Sequence, residues 1–234
     1  MSTLQVKKHD FGVLGGMAYA DDLLPEHAFD ALADYAESAP LSAAKFENPE
    51  TVWRKNGFYN PLLSKSIIWP EDDTYTSLLK SVPDIELYPT GNPVDGAMRA
   101  IRDLVIEHEF FGKPSPNWVG SVASIIRYRP GTRLLWHKDS AGQVGAFSYY
   151  IHKNWDDNAG GQFLYKSGDE FEDFEGCFIT PKPNRLVIVR PPLPHAIAPT
   201  IAASGNDRIA LSGFFIGAKY AETLLKLHVP TQTA

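Results

Sequence analysis

Residues 122–139 read VASIIRYRPGTRLLWHKD: an apolar, β-branched run to Tyr128, the turn Arg129-Pro130-Gly131, and a second extended run from Arg133 that ends on His137-Lys138-Asp139. β-Branched and aromatic side chains suit a pleated, half-buried strand, and Pro-Gly provides first the fixed φ and then the left-handed freedom of a tight turn. The stretch therefore predicts two strands joined by a turn, the second of which delivers a histidine and an aspartate. Side chains at i and i+2 of an extended segment share a face, so His137 and Asp139 project together.

The same grammar continues downstream. Short β-rich runs at Val122–Tyr128, Arg133–His137, Gly145–His152, Gly161–Tyr165, Cys177–Thr180, Arg185–Arg190, His195–Pro199 and Arg208–Ile216 are separated by Pro, Gly, Asn and Asp clusters. Eight short strands predict a mainly β fold, a barrel or two-sheet jelly roll. Upstream, Phe29, Leu32, Ala33 and Ala36 recur at helical spacing between Pro25 and Pro40, and Met98, Ile101, Leu104, Val105 and His108 mark a second helix from about 93 to 110. These read as packing helices. The stretch from Trp53 to Pro70 lacks periodicity and reads as loops with one short strand near Ser66–Trp69, and a last helix is expected from about Ala218 to His228. At 234 residues the chain is read as a single domain, 1–234. Helices and loops at 1–120 pack on a β core at 121–216, and a C-terminal helix follows at 217–234.

Composition narrows the function. Apolar residues at 44% and charged residues at 21% exclude a disordered or coiled-coil chain. A net charge of −6 argues against nucleic acid as a partner, since phosphate binding needs clustered Lys and Arg. No apolar run nears the ~20 residues of a membrane helix, the N-terminus has no secretory apolar segment, and the lone Cys177 can form no intrachain disulfide. A soluble, cytoplasmic protein with a cationic or neutral partner is expected.

His195 opens another candidate strand, behind Pro191-Pro192-Leu193-Pro194, whose prolines pre-set an extended backbone. A lone His-x-Asp arises readily by chance, but His137, Asp139 and His195 at strand ends can converge across a barrel. Two imidazoles and one carboxylate with open positions form the ligand set of non-haem Fe(II) oxygenases. Zinc fits the same set for hydrolysis. Arg208, thirteen residues after His195, starts the alternating run Arg208, Ala210, Ser212; a guanidinium and a hydroxyl on one interior face would anchor a carboxylate, for which a hydrolase has no evident need.

Taken in order, Arg127-Tyr128-Arg129-Pro130-Gly131 with Trp136-His137-Lys138-Asp139, Tyr149-Tyr150-Ile151 with Trp155-Asp156, Gly160-Gly161-Gln162-Phe163-Leu164-Tyr165, Asn184 to Val189 with His195, and Arg208 to Phe215 resemble the prolyl-4-hydroxylase-like branch of the Fe(II)/2-oxoglutarate-dependent dioxygenases, a group that also includes small-molecule hydroxylases and radical halogenases. The resemblance spans about residues 121–216. It implies a double-stranded β-helix (a jelly-roll, cupin-like barrel) with His137, Asp139 and His195 as iron ligands and Arg208 on the distal carboxylate of 2-oxoglutarate. Tyr128 and Tyr150 match positions where the family places tyrosines against that carboxylate. The implied cofactors are Fe(II), 2-oxoglutarate and O2, with ascorbate as reductant in vitro. Many members carry Lys where Arg208 stands, and residues 203–206 lengthen the spacing after His195, which reads as a longer hairpin. The halogenases replace the carboxylate ligand with Gly or Ala, so Asp139 favours hydroxylation.

Other features have plainer readings. Trp136 and Trp155 read as barrel packing, the acidic run 169–175 as a solvated hairpin, Cys177 as a small buried hydrophobe, and His152 as a surface residue rather than a substrate contact. The expectation is an oxygenase, monomeric or dimeric, that hydroxylates an unactivated aliphatic C–H bond of a free amino acid or similar small metabolite and releases succinate and CO2. Alternatives are a peptidyl-prolyl or other protein hydroxylase, a catalytically silent barrel used as a binding module, and a zinc hydrolase. Substrate selectivity is expected in the 53–69 region.

Overall fold

A computed structural model describes residues 4–10, 12, 15–43, 61–71, 85–112, 117–139, 142–167, 175–201 and 207–218. In chain order the elements are β1 (Val6–Asp10), β2 (Gly16–Ala20), α1 (Glu26–Ser38), β3 (Ser42–Ala43), β4 (Pro61–Leu63), β5 (Ser66–Pro70), β6 (Ile85–Leu87) and α2 (Val94–Glu107). Then come β7 (Gly120–Tyr128), β8 (Leu134–His137), β9 (Gln143–Tyr150), β10 (Phe163–Ser167), β11 (Glu175–Ile179), β12 (Leu186–Arg190), β13 (His195–Ile197) and β14 (Arg208–Ile216).

The last eight strands divide four and four between two sheets, with the chain crossing from one to the other at every step except between β10 and β11, the arrangement of a double-stranded β-helix. The sequence β12-β9-β14-β7 forms the centre of a large sheet, and β11-β10-β13-β8 forms a smaller one. The two remain separate sheets, so the barrel expected from the strand count is not closed by hydrogen bonds. Residues 1–120 contribute more than helices and loops. β1 and β2 extend the large sheet beyond β12, and β4-β3 and β5-β6 attach at β7. The strand expected near Ser66–Trp69 is β5 (Ser66–Pro70), whereas sequence periodicity misses β3, β4 and β6, which hold only two or three residues and are extended through pairing with a neighbour rather than by local propensity.

Strand alternation sorts the core into two layers. On β14, Ile209, Leu211 and Phe215 face the helices and pack with Leu32 and Ala36 of α1 and Met98, Ile101 and Val105 of α2. The opposite face of the large sheet, with Ile126, Tyr128, Tyr150, Val187 and Ala210, packs against Leu134, Phe163, Tyr165 and Ile197 of the small sheet. One face buried by helices and the other by a second sheet explains why β9 and β12 read as almost unbroken apolar runs.

Local chemistry sets the boundaries. Ala39, at the C-terminal cap of α1, takes φ −59 and ψ 141 because Pro40 bars it from helical ψ. Asn184 adopts a positive φ of 59° in the turn before β12. Its amide donates to Leu24 O at 2.8 Å and accepts from Leu24 N at 3.0 Å and Tyr149 OH at 2.6 Å, tying the entry to α1 to the large sheet. The next residue, Arg185, grips Asp21 through Nε at 2.5 Å and Nη2 at 2.9 Å. The helix expected after Ala218, the 53–60 loop, the acidic run 169–174 and the 203–206 turn lie outside the described residues.

Candidate active site

The small sheet aligns the first part of the site. His195 pairs directly with His137 across β13 and β8, and Tyr165 of β10 pairs with His195. Directly opposed residues in antiparallel strands point to the same face, so His137, His195 and Tyr165 form a row on the interior side. Asp139 lies just beyond β8, with Oδ1 3.8 Å from His137 Nε2 and 3.9 Å from His195 Nε2. One donor atom from each of the three residues lies within 4.8 Å of the others.

Hydrogen bonds select the tautomers. His137 Nδ1 lies 2.8 Å from Leu135 O, and His195 Nδ1 lies 3.0 Å from Leu193 O. A carbonyl only accepts, so each Nδ1 carries the proton and each Nε2 lone pair is left facing Asp139. In both cases the acceptor belongs to the residue two positions earlier, so the extended backbone itself orients the imidazole. Phe163 stacks on His195 at 5.4 Å and fixes the ring plane.

Electrostatics support a cation here. Burial raises the Asp139 carboxyl to about 6, with the neighbouring His137 pulling the other way, and Asp139 Oδ2 is buried with no hydrogen-bond partner. Burial lowers His195 to about 4, and burial followed by repulsion from His195 lowers His137. Three donors crowded at low exposure, two held neutral and one disfavoured as a bare anion, suit a divalent metal that would relieve all three costs.

Arg208 supplies the second part. It has no solvent exposure, and none of its three guanidinium nitrogens has a hydrogen-bond partner. Its charge sits 4.1 Å above the Tyr128 ring and 4.9 Å from the Tyr150 ring, and Tyr150 OH is also buried without a partner. Burial raises the Tyr150 hydroxyl, while the charge and the close side-chain approach of Arg208 act in the opposite sense, so the phenol stays protonated. A buried cation with five unused donors is costly unless an anion completes it. The donor set at the metal site and this unused fork both fit an iron centre with a carboxylate cosubstrate.

The remaining predicted residues fall in two places. Ser212 faces the interior two residues beyond Ala210, but its hydroxyl pairs with Ser148 at 2.7 Å rather than with Arg208. Ser124 is directly opposite Ser212 on β7 and meets Ser66 at 3.3 Å, extending a hydroxyl row that sequence reading missed because it exists only through strand register. His152 is not at the surface: it is 2% exposed. Trp136 departs from core packing, being 43% exposed with Lys166 over its ring at 5.1 Å, whereas Trp155 has a buried indole nitrogen. Gly161 is a further residue the sequence concealed. Its φ is +65°, and a Cβ there would lie 2.8 Å from Arg208 Cδ and 3.2 Å from Trp155.

The geometry meets its family at this point. Residues 123–216 match the model of the 2OG-Fe(II) oxygenase superfamily. This segment is a 2OG-Fe(II) oxygenase domain. Such an oxygenase uses Fe(II), 2-oxoglutarate and O2. No curated protein matches the chain in sequence. Among solved structures, the chain is similar to a prolyl-4-hydroxylase from Pseudomonas putida, at 19% identity and a TM-score of 0.58 over 87% of this chain and 93% of that one. It is also similar to a Trichoplax adhaerens prolyl hydroxylase in complex with a hypoxia-inducible-factor peptide fragment, at 15% identity and a TM-score of 0.60 over 88% and 86% of the two chains. A 2OG-Fe(II) oxygenase family oxidoreductase from Burkholderia pseudomallei aligns at 13% identity and a TM-score of 0.52 over 86% and 85%.

Proposed function

We propose that this oxygenase hydroxylates an unactivated aliphatic C–H bond of a free amino acid or similarly small metabolite. His137, Asp139 and His195 hold the iron, and Arg208 anchors the distal carboxylate of 2-oxoglutarate with Tyr128 and Tyr150 beside it. Ser212, paired to Ser148, presents hydroxyl to the same interior face. The 1–234 chain acts as one unit, with residues 1–120 bracing the core. The observation that carries the reading is the fully buried Arg208 fork with no partner of its own. When bound, iron and 2-oxoglutarate supply the oxidising power: one atom of O2 enters succinate, CO2 leaves, and the other atom enters the product alcohol.

The protein's part is placement. Leu135 and Leu193 carbonyls keep both Nε2 lone pairs aimed at the metal position, Phe163 keeps His195 from turning, and the Tyr128 and Tyr150 faces hold Arg208. Low side-chain exposure of His137, Asp139 and His195, at 10%, 4% and 6%, supports an enclosed site and hence a small substrate. Peptidyl-prolyl hydroxylation is the second reading, favoured by the likeness to prolyl hydroxylases, one of them in complex with a peptide fragment.

The test is succinate release from 2-oxoglutarate with Fe(II), ascorbate and O2, across pooled free amino acids and proline-containing peptides, with mass spectrometry of the products. Stimulated turnover with a one-oxygen gain in the amino-acid pool supports the first reading. Stimulation by peptides alone establishes the second.

A further inference from the structure

His152 follows β9 and is buried between strand β14 and the connection that leads into β12. Its Nδ1 lies 3.1 Å from Ile209 O, the residue next to Arg208 on β14, and its Nε2 lies 2.6 Å from Pro181 O in the turn before β12. Both neighbours can only accept. A neutral imidazole donates to one carbonyl and turns its lone pair on the other, whereas the doubly protonated ring donates to both. Burial opposes that second proton, and so does the charge of Arg208. The other faces of the ring meet Tyr150 at 6.0 Å and Trp155 at 5.1 Å; Tyr128 and Arg185 act electrostatically on Tyr150.

The carbonyl pair therefore favours a proton that the unpartnered guanidinium repels. A carboxylate seated on Arg208 would cancel that repulsion and leave burial as the opposition that the two carbonyls must overcome. We propose that His152 is a positioning residue for Arg208 that takes up a proton as the distal carboxylate of 2-oxoglutarate binds, so that cosubstrate affinity is linked to pH. The inference rests on the reading of Arg208 as the anchor. In the free protein, burial holds the ring down to about 4. Binding raises that value, so protons are taken up in the window above 4 and affinity weakens as pH rises through it.

The test is calorimetric titration of the anaerobic, Fe(II)-loaded full chain with 2-oxoglutarate at pH 5, 6 and 7, in pairs of buffers with different ionisation enthalpies. Comparison with His152→Asn and His152→Gln subtracts protons released or bound by the metal ligands. We expect the wild type to take up more protons than either variant, by up to one. Its Kd should rise more steeply with pH, by up to about tenfold per unit at most. Imidazole NMR of the Zn(II)-loaded wild type should show the His152 ring passing to the doubly protonated form on addition of 2-oxoglutarate, a readout that does not need a folded variant. Equal proton uptake in all three proteins, or a ring unchanged by 2-oxoglutarate, overturns the linkage. A wild type that binds no 2-oxoglutarate overturns the anchor reading as well.

Discussion

Replacing Arg208 by Met tests whether this site is built at the expense of the fold. The guanidinium is fully buried with no hydrogen-bond partner, and an unpaired buried ion costs several kcal/mol. The faces of Tyr128 and Tyr150 return about 2 kcal/mol when desolvated. Methionine fills much of the same volume without the charge, so Arg208→Met should stabilise the ligand-free protein by about 1–3 kcal/mol. For a chain this size that is a rise in Tm of roughly 3–10 °C. On the proposed role of Arg208, the same change removes a charge-assisted anchor worth about 1.5–3 kcal/mol to a carboxylate and should weaken 2-oxoglutarate roughly 10- to 150-fold. Scanning calorimetry without dicarboxylates and anaerobic titration with 2-oxoglutarate read the two effects separately. A fall in Tm would refute the argument, because it would mean that the guanidinium is already satisfied in the free protein.

Three further substitutions probe the same architecture. Gly161→Ala forces a side chain into φ +65° and against Arg208 Cδ, and should destabilise the fold by about 1–3 kcal/mol in urea denaturation while weakening 2-oxoglutarate binding. Asp139→Ala should abolish Fe(II) binding and hydroxylation while leaving the ligand-free fold intact by circular dichroism, since it removes a carboxylate whose Oδ2 has no partner; undiminished product would remove Asp139 from the metal site. The Asp21 carboxyl is lowered chiefly by its bonds to Arg185. Its stabilising effect is therefore complete above the unfolded value of about 4 and fades as pH falls through the depressed folded value. Urea midpoints of the wild type and Asp21→Asn should converge across that acid window, and a gap that persists below it would show that the ion pair is not the cause.

The eight strands from Val122 to Ile216 were legible in the sequence because each is a short apolar or alternating run closed by turn residues, and because strand pattern is a local property. Their number pointed to a barrel or two-sheet jelly roll, and the resemblance carried by their motifs implied the double-stranded β-helix. His137, Asp139, His195 and Arg208 were legible as chemistry, since few roles require those residue types at strand ends. What the residues could not show was register. The pairing of His137 with His195, the Ser66-Ser124-Ser212-Ser148 hydroxyl row and the neighbourhood of Tyr165 all depend on which strands lie side by side. The short strands β3, β4 and β6 likewise exist through their partners rather than their own composition.

His152 and Gly161 mark the boundary most clearly. Alternation along one strand left His152 at the surface, yet the segment before β12 folds over it and places a second carbonyl on its ring. Gly161 reads in sequence as one of a pair of turn glycines; only the packed fold shows Arg208 Cδ occupying the space its Cβ would need. Sequence by itself determined which segments extend and which donor atoms are available, because backbone preference and side-chain chemistry are properties of single residues. Tertiary structure decided which donors meet, which are left without partners and how each is charged, because burial and pairing are set by residues far away along the chain.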